Sequence, residues 1–387
     1  MIQLKMHMKG NVFVTCPRGL EEVTAKEVNS LLSKDSKIDS GGIHLDASIN
    51  EIYNLNISLR TAMHVLERVH SFKASNIEQI YSRVADFDWA KTIGVDKTFS
   101  IRTRVNSNKI QKNNFLTLRI KDAIVDRIYK ERGRRPFVNK EKPDFPLFVF
   151  VKGEEVSIYR DSSGLPLYRR DYRGKIHRAS LNPAMAAGLI LLSSWNKEIP
   201  LYDPMCGSGT IPIEALMYAL SIPPGIYRNE YAFKNWPGFS LRNFNVIKSS
   251  AFDVMNSSKP PKIFASDNTV KNLELVKNSL KKINLNRKIK IDTLDIRDFN
   301  PLEKEGVIIT NPPHGHRMGS EDSLKGLYRI FGDTLKKNCA GLDAYVFCIN
   351  NSLSKSIGLQ PTEKYELKNG KLDCRLLHFP ITEGKFA

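Results

Sequence analysis

The chain has 387 residues, of which 41% are hydrophobic and 26% are charged. This composition excludes a disordered, collagen-like or coiled-coil protein, and the length is enough for two or three domains with buried cores. Lysine and arginine number 59 against 41 aspartate and glutamate, which gives a formal charge of +18. Such an excess favours a polyanionic partner such as nucleic acid, although a solvated basic surface is the alternative.

Several classes of protein are disfavoured by what the sequence lacks. The five cysteines form no Cys-x-x-Cys pair and have no zinc-ligand spacing, and His314 and His316 without further ligands make a poor metal site. Residues 1–10 lack the apolar core of a signal peptide. The longest apolar run, 184–192, has nine residues, whereas a membrane span needs about 20. We therefore expect a soluble, cytoplasmic protein without metal or membrane.

The first 160 residues mix strand-like and helix-like segments, as small α+β units do. Period-two alternation and β-rich runs predict strands at 11–15, 43–45, 98–105, 145–152 and 155–160. Apolar spacing of 3.6 residues predicts helices at 19–32, 52–69 and 114–130.

Positive charge is concentrated in two segments of this first half. Residues 100–135 contain eleven Lys/Arg against three Asp/Glu, and 160–178 contain six against two, with Tyr168 and Tyr172 interleaved. Arginines beside aromatic rings suit phosphate contacts and base stacking. A charged linker that stays solvated explains the same composition equally well.

From residue 182 the pattern changes to strands alternating with helices. Strands are predicted at 199–202, 262–265, 288–293, 306–310 and 344–349. Helices are predicted at 211–220, 270–283 and 323–337. This alternation predicts right-handed βαβ units in a doubly wound, mostly parallel sheet. Asn369-Gly370 between apolar stretches predicts a terminal antiparallel hairpin.

A candidate ligand site follows the first three of these strands. The segment Asp203-Pro-Met-Cys-Gly-Ser-Gly-Thr210 opens a helix, and Gly207 and Gly209 allow close backbone approach to a ligand. No phosphate-binding Gly-Lys-Ser/Thr follows. Asp203, Asp267 and Asp295 end successive strands, where such sheets bind ligands. Together they predict a nucleoside pocket without phosphate-binding groups, as S-adenosylmethionine (SAM) requires, although a helix cap is the simpler explanation of any one aspartate.

The fourth strand runs into Asn311-Pro-Pro-His314. The Asn311 amide oxygen and the Pro312 carbonyl, for which we expect no competing donor, can accept both hydrogens of a planar exocyclic amine. The prolines fix the backbone, and His314 can stack on the base. This arrangement aims the amine nitrogen at a methyl group, so that positioning supplies most of the rate without metal or covalent intermediate. A Pro-Pro turn that merely ends the strand is the alternative.

These motifs, DPMCGSGT and NPPHG, resemble the class I SAM-dependent methyltransferases that modify exocyclic amines. Further segments resemble the RlmL-type guanine-N2 RNA methyltransferases and lie at 121–126, 135–136, 143–144, 167–173, 223–236 and 368–374. The resemblance implies a Rossmann-like catalytic domain behind an α+β ferredoxin-like and THUMP RNA-binding module, with a family insertion at about 220–260. The implied domains are 1–50 (ferredoxin-like), 51–160 (THUMP-like), 161–181 (basic linker) and 182–387 (methyltransferase).

The resemblance also implies the site residues. Asp203, Gly207 and Gly209 would line the methionine end of SAM, Asp267 would bind the ribose, and Asp295 the adenine amine. The predicted cofactor contacts in full are Asp203, Pro204, Cys206, Gly207, Gly209, Thr210, Asp267, Asn268, Asp295 and Ile296. The predicted catalytic residues are Asn311, Pro312, Pro313 and His314. The predicted RNA contacts are Lys121, Arg134, Arg135, Arg169, Arg170 and Arg173.

Three positions depart from the family pattern. His314 stands where Tyr or Phe is usual, so a protonated ring should repel the sulfonium and reduce activity at low pH, and His314→Tyr should remove that loss. His316 stands where the family often has Glu, and Thr269 where a second acidic residue often follows the ribose carboxylate.

The sequence thus predicts methyl transfer from SAM to guanine N2 in RNA, with 23S (large-subunit) ribosomal RNA as the favoured substrate and S-adenosylhomocysteine (SAH) as product. A tRNA guanine-N2 methyltransferase of the related TrmN group is the main alternative. DNA adenine-N6 methylation, which uses a similar Asn-Pro-Pro-aromatic loop, and a non-catalytic ribosome assembly factor are the others. The oligomeric state is left open.

Overall fold

The computed structural model describes residues 10–94, 96–110, 114–173, 180–253, 255, 261–314, 320–349 and 351–383. These residues form two seven-stranded sheets, one from each half of the chain. Within these ranges, no helix is both long enough and apolar enough to cross a membrane.

Seven strands and five helices build the N-terminal half. The strands are β1 (Gly10–Thr15), β2 (Lys37–Asp39), β3 (Gly42–Ala47), β4 (His64–Lys73), β5 (Phe99–Asn106), β6 (Phe145–Lys152) and β7 (Glu155–Asp161). The helices are α1 (Glu21–Leu32), α2 (Ile49–Ser58), α3 (Ile77–Ala85), α4 (Trp89–Ile93) and α5 (Asn114–Arg132). The strand order is β2-β3-β1-β4-β7-β6-β5, and β4 pairs with β1 on one side and β7 on the other. One sheet therefore runs through both N-terminal units that the sequence suggests.

Helices cover one face of this sheet. Because side chains alternate along a strand, Val12 and Val14 of β1 and Val149 of β6 share that face and are fully buried. They pack in one core with apolar residues of the helices, such as Ile52 of α2 and Ile120 of α5. The opposite face carries the other half of each strand's side chains.

The predicted helix at 52–69 is wrong over its second half. Helix α2 begins after Ser48, which forms a capping box with Glu51, and it ends at Ser58. The chain then extends, and β4 begins at His64. Val65 and Leu66 are both buried on opposite faces of β4, in separate apolar clusters. Because both faces of the strand are covered there, the sequence lacks the alternation that marks a strand.

The C-terminal half confirms the predicted doubly wound sheet and its hairpin. The strands are β8 (Leu201–Asp203), β9 (Ile263–Asp267), β10 (Lys290–Thr293), β11 (Gly306–Thr310), β12 (Leu342–Cys348), β13 (Glu363–Asn369) and β14 (Leu372–Pro380). The helices are α6 (Pro183–Leu192), α7 (Thr210–Ala219), α8 (Leu241–Asp253), α9 (Val270–Lys282), α10 (Glu321–Asn338) and α11 (Asn351–Lys355). The order is β10-β9-β8-β11-β12-β14-β13, in which the first five strands are parallel and β14 is antiparallel to both its neighbours.

The insertion between β8 and β9 packs against the N-terminal half through aromatic rings. The ring of Tyr53 on α2 lies 4.6 Å from that of Phe233, 5.7 Å from Phe239 and 6.0 Å from Phe244, measured between centroids. Arg228 of the same insertion donates to the carbonyl oxygens of Ser163, Leu165 and Pro166 in the linker. The insertion therefore joins the two halves rather than extending the C-terminal sheet.

Arg170, which the sequence predicts to contact RNA, lies inside the protein with a relative exposure of 4%. Its guanidinium donates to Glu214 of α7 at 3.3 Å, to the Leu167 carbonyl at 2.8 Å and to the Arg60 carbonyl at 2.6 Å. The buried hydroxyl of Tyr172 also donates to Glu214, at 2.8 Å. The prediction for Arg170 is therefore wrong, because the side chain is buried and each of its three guanidinium nitrogens donates to a protein acceptor.

We predict that Arg170→Met destabilises the protein by about 3–5 kcal/mol, because it leaves the buried Glu214 carboxylate without its charged donor. Arg170→Met combined with Glu214→Leu should recover most of that loss, since no uncompensated charge remains. Chemical denaturation measures both variants, and Arg169→Met, a change at the exposed neighbouring arginine, is the control. Equal stability of Arg170→Met and Arg169→Met would contradict this account.

Candidate functional site

The carboxyl ends of four adjacent strands, β10, β9, β8 and β11, form one edge of the C-terminal sheet. The chain winds from β8 outwards to β9 and β10, then crosses back to β11 and β12 on the other side. The strand order therefore reverses between β8 and β11. Ligands of doubly wound sheets bind in the crevice at such a reversal.

Asp203 lies at this reversal, at the end of β8. It is 2% exposed, and its Oδ1 accepts a hydrogen bond from the Thr310 hydroxyl at the end of β11, at 2.8 Å. Burial raises the pKa of Asp203 to about 7, and the nearby charge of Asp267 adds to the rise, while the Thr310 hydrogen bond opposes it. A cation beside this carboxyl group would favour its ionised form.

Asp267 at the end of β9 holds the loop after β8. Its Oδ2 accepts from the Gly207 N–H at 2.9 Å, and its Oδ1 accepts from the Thr269 N–H at 2.9 Å and the Asn272 amide at 3.0 Å. One oxygen of the carboxylate therefore stabilises the turn into α9, while the other holds the glycine loop. Asn268 is exposed beside it. Each carboxylate oxygen has further lone pairs with which a ligand hydroxyl could bond.

The two loop glycines have different physical roles. Gly207 has φ +53°, and a Cβ added there would meet no atom within 4 Å. Gly209 has φ +77°, and its Cβ would lie 2.7 Å from a methyl group of Val276 on α9. Gly207 thus leaves open space in front of the loop, whereas Gly209 allows the start of α7 to pack on α9.

The remaining predicted cofactor contacts lie around this loop. Pro204 and Cys206 are buried, and burial raises the pKa of the Cys206 thiol well above its usual value, which disfavours a nucleophilic role. Thr210 is buried, and its hydroxyl accepts from Arg173. The hydrogen bonds of Asp295 are local: it accepts from the Arg297 N–H at 2.9 Å and pairs with the Arg297 guanidinium at 3.1 Å.

Ile296, next to Asp295, is buried in the second apolar core of the catalytic domain. It begins a short 3₁₀ turn, Ile296–Asp298, which Asp295 caps. The helix-cap explanation therefore accounts for the hydrogen bonds of Asp295 in the structure, and its predicted contact with adenine stays a prediction.

Asn311 follows β11, and its side-chain oxygen Oδ1 is buried without a hydrogen-bond partner among the described residues. A buried acceptor without a donor costs about 1–3 kcal/mol, and a ligand that supplies a donor would recover that cost. The expectation that Pro312 has no competing donor is wrong: His314 Nδ1 lies 3.1 Å from the Pro312 carbonyl oxygen. The contact joins two residues that are only two positions apart in the chain.

His314 is half-buried, and its burial lowers the pKa of the ring below its usual 6.5, with the Pro312 hydrogen bond opposing the shift. The ring is therefore mainly neutral at neutral pH and becomes protonated only at lower pH. His316 lies outside the described residues. Among the residues that are described, no group of three or more His, Cys, Asp or Glu side chains is placed to hold a metal ion.

Two further groups of predicted RNA contacts lie apart in the structure. Lys121, Arg134 and Arg135 are on or just beyond α5 and form ion pairs near the surface, with Asp122, Asp96 and Asp126 respectively. Arg169 and Arg173 line a cavity of about 530 Å³ near the start of α6, with Arg170 in its wall. Tyr172 is buried, which leaves it unable to stack on a base.

Sequence reasoning missed Thr310, which bonds Asp203 and so links β8 to β11. The signal was available, because Thr310 is the single polar residue in the strand Gly306–Thr310 and is fully buried. A buried hydroxyl needs a partner, and the adjacent strand end supplies one.

Comparison with known proteins matches three family models in chain order. They are the RlmL ferredoxin-like domain over residues 11–66, the THUMP domain over 74–161, and the RMKL-like methyltransferase domain over 170–378. The last model alone covers more than half of the chain.

Individual relatives cover nearly all of the chain. It is 31% identical over 369 residues to slr0064 of Synechocystis sp., whose name proposes an RNA methyltransferase, with 95% of this chain and 96% of that protein aligned. It is 29% identical to the ribosomal RNA large subunit methyltransferase K/L of Syntrophotalea carbinolica, with 97% of this chain aligned to 54% of that protein. The chain thus spans about half the length of that relative.

A solved structure of a related protein has the same fold over nearly all of the chain. The structure of SMU.472, whose description proposes a methyltransferase and which was solved in complex with SAH, matches with a TM-score of 0.87 and 26% identity. The match covers 98% of this chain and all of the other.

We predict that Gly209→Ala destabilises the protein by about 1–2 kcal/mol from the left-handed backbone alone, with a further loss from the contact with Val276. In a Val276→Ala background the cost of Gly209→Ala should fall, because the opposing methyl groups are gone. Gly207→Ala is the matched control: its φ is also positive, but its cost should not depend on residue 276. Denaturant-induced unfolding of the three single and two double variants measures the coupling. Equal coupling for both glycines would contradict the assigned roles.

Proposed function

Because the chain belongs to the RMKL-like methyltransferase family, we propose that this SAM-dependent enzyme methylates the exocyclic N2 of a guanine in RNA, with large-subunit ribosomal RNA as the favoured substrate. The observation that carries the proposal is the buried, unpartnered Oδ1 of Asn311 at the strand-order reversal. An exocyclic amine is a donor of the kind that this acceptor lacks.

SAM suits the electrostatics of the neighbouring pocket. The buried Asp203 carboxyl group is stabilised in its ionised form by a positive ligand, and SAM carries an ammonium and a sulfonium. The open space before Gly207 accommodates close approach, and Asp267 retains acceptor capacity for hydroxyl groups. When bound, SAM supplies an electrophilic methyl group and becomes SAH on transfer.

The protein's own part in the reaction is positioning. Asn311 and the Pro312 carbonyl orient the amine, and the two prolines hold these acceptors on a stiff backbone. The Pro312 oxygen has a second lone pair beside the His314 contact, so it can accept from the amine while His314 stays in place. A target guanine in a duplex has to be flipped out to reach these groups, because pairing engages N2.

The choice of RNA follows from the THUMP match and from the relatives' names, one of which specifies large-subunit ribosomal RNA. The choice of guanine N2 follows from the family resemblance of the sequence motifs. Transfer RNA is the main alternative substrate, since THUMP domains also serve tRNA enzymes such as the related TrmN group.

A methyl-transfer assay tests the proposal. Purified protein and labelled SAM are incubated with separated ribosomal RNA, tRNA and DNA from a strain that lacks the gene, and digested nucleosides are resolved by mass spectrometry. We expect label in N2-methylguanosine from large-subunit RNA. Label in tRNA would show that tRNA, and not ribosomal RNA, is the substrate. Label in methyladenine would refute guanine specificity, and label in no fraction would refute the proposal.

We predict that Asn311→Ala abolishes turnover while SAM affinity changes less than about twofold, because Asn311 serves the target base and not the cofactor. Turnover is measured by the assay above, and SAM affinity by calorimetry. A comparable loss of SAM binding would contradict the assigned role.

We predict that SAM binds more weakly as the pH falls. With a pKa of about 7 in the free protein, Asp203 is increasingly protonated below pH 7 and must lose that proton to bind a cation. Affinity should therefore fall roughly tenfold or more between pH 7.5 and 5.5 and level off above the pKa. Asp203→Asn should bind SAM weakly at both pH values with little pH dependence. If the affinity of Asp203→Asn for SAM still fell steeply with falling pH, a group other than Asp203 would be responsible for the pH dependence.

A further inference from the structure

The face of the N-terminal sheet that the helices leave uncovered forms one wall of a groove of about 1190 Å³. Residues of β1, β3, β4, β5, β6 and β7 line it. Lys368, Asn369 and Gly370 from the C-terminal hairpin, and Asn182 and Met185 at the start of α6, complete it. We call this space the sheet groove. It is formed by both halves of the chain.

We propose that the sheet groove binds an unpaired stretch of the RNA substrate, stacking bases on its aromatic rings and binding phosphates through its arginines. This inference rests on the proposed RNA substrate. It assigns the contact to residues other than the predicted RNA contacts around α5 and the linker, although Arg102 and Arg104 belong to the basic segment 100–135.

Strand register puts aromatic rings between arginines. Phe148 of β6 pairs with Tyr159 of β7 on one side and with Arg102 of β5 on the other. Tyr159 pairs in turn with Arg68 of β4. Two rings are thus flanked by two guanidinium groups in a single row across four strands. Neighbouring pairs on one face of a sheet are close enough for such side chains to act together.

A second row, one pleat further on, places one more ring beside one more arginine. Phe150 of β6 pairs with Arg104 of β5 and with Ser157 of β7. Phe148 and Phe150 are both half-buried, so part of each ring remains accessible from the groove. Two accessible rings two residues apart on one strand match the way a strand can present successive stacking surfaces to successive bases.

Further aromatic rings extend the first row. The ring of Tyr159 lies 6.3 Å from that of Phe148 and 6.2 Å from that of Phe13 on β1, measured between centroids. Phe13 stacks on His44 of β3 at 4.5 Å. Phe13 and Tyr159 are buried beneath their neighbours, so they support the row, while Phe148 and Phe150 carry the accessible surface.

The charge of the groove fits a polyanion. Its lining includes seven Lys or Arg residues and two acidic residues. The basic residues are Arg18, Lys37, Arg68, Arg102, Arg104, Lys152 and Lys368, and the acidic ones are Asp39 and Glu155. Arg68 and Arg104 are exposed and have no ion-pair partner among the described residues. Guanidinium groups without a carboxylate partner are free to bind phosphate.

The rings favour single-stranded over double-stranded RNA. In a duplex the base faces stack on one another, and only phosphates and groove edges reach a protein surface. Lysines and arginines alone would suffice for a duplex, whereas half-buried phenylalanine rings beside arginines provide stacking surfaces that only unpaired bases can use.

Binding of short RNAs to the full-length protein tests the inference without any need for methyl transfer. The probe is a fluorescent RNA of about 12 nucleotides without secondary structure, compared with the same strand annealed to its complement. We expect Phe148→Leu with Phe150→Leu to weaken single-strand binding about tenfold, because leucine keeps the apolar volume but removes the stacking surface. Duplex binding should change less than twofold.

Matched control variants distinguish a loss of base stacking from unfolding of the protein and from a general loss of positive charge. Phe115→Leu, at an exposed phenylalanine on α5, and Arg83→Ala, at an exposed arginine on α3, should leave single-strand affinity unchanged. Arg104→Ala should reduce it. SAM affinity of the phenylalanine variant should match that of the parent, which reports an intact catalytic domain.

Two results would overturn the inference: unchanged single-strand affinity in the phenylalanine variant, or equal losses for single strand and duplex. Failure of the proposed function looks different, because an enzyme that methylates another substrate would still show ring-dependent binding of the short RNA.

Discussion

A single buried carboxylate, that of Glu214, holds together the parts of the chain that have to act jointly. It lies on α7, the helix that the glycine loop opens, and it accepts from Arg170 and Tyr172 of the linker. Arg170 also donates to the carbonyl of Arg60, just before β4. Removing one partner of a buried ion pair is far more costly than any surface contact. The orientation of the glycine loop after β8 is therefore coupled to the N-terminal sheet through charges that water cannot screen.

The second constraint is the crowding of acidic groups at the strand-order reversal. Asp203 and Asp267 lie close enough for the charge of one to raise the pKa of the other, yet each is held in place, by Thr310 and by the Gly207 N–H respectively. Acceptors fixed in this way need not reorganise when a cation arrives, which is the condition for strong electrostatic binding in a buried site. The same two carboxyl groups disfavour a negatively charged phosphate ligand. The preference of the site for a cation therefore follows from the buried position of Asp203 as much as from the sequence motif.

Sequence reasoning succeeded where local pattern determines structure and failed where burial does. The βαβ alternation and Asn369-Gly370 predicted the C-terminal sheet and its hairpin, because period and turn chemistry are local properties. The RNA contact predicted for Arg170 fails because a basic segment has the same sequence whether its arginines are exposed to solvent or form buried hydrogen bonds within the protein. The helical spacing over 52–69 extends into the first half of β4, because both faces of the strand are covered at Val65 and Leu66. The contact of His314 with Pro312 depends on the backbone conformation of residues 312–314, which residue types alone do not specify.

In the sheet groove, the pairing of strands brings together residues that are far apart in the sequence. The alternation of residues 98–105 already put Arg102 and Arg104 on one face, but their aromatic partners come from β6, about 45 residues later, through strand register. Because the groove is closed by the C-terminal hairpin and α6, RNA held there is held against the catalytic half, to which the N-terminal sheet is already tied through Arg170 and Glu214. Binding energy gained far from the target base can then position that base for reaction. On this argument, loss of Phe148 and Phe150 should lower turnover on a long RNA more than it lowers turnover on a minimal one that does not reach the groove.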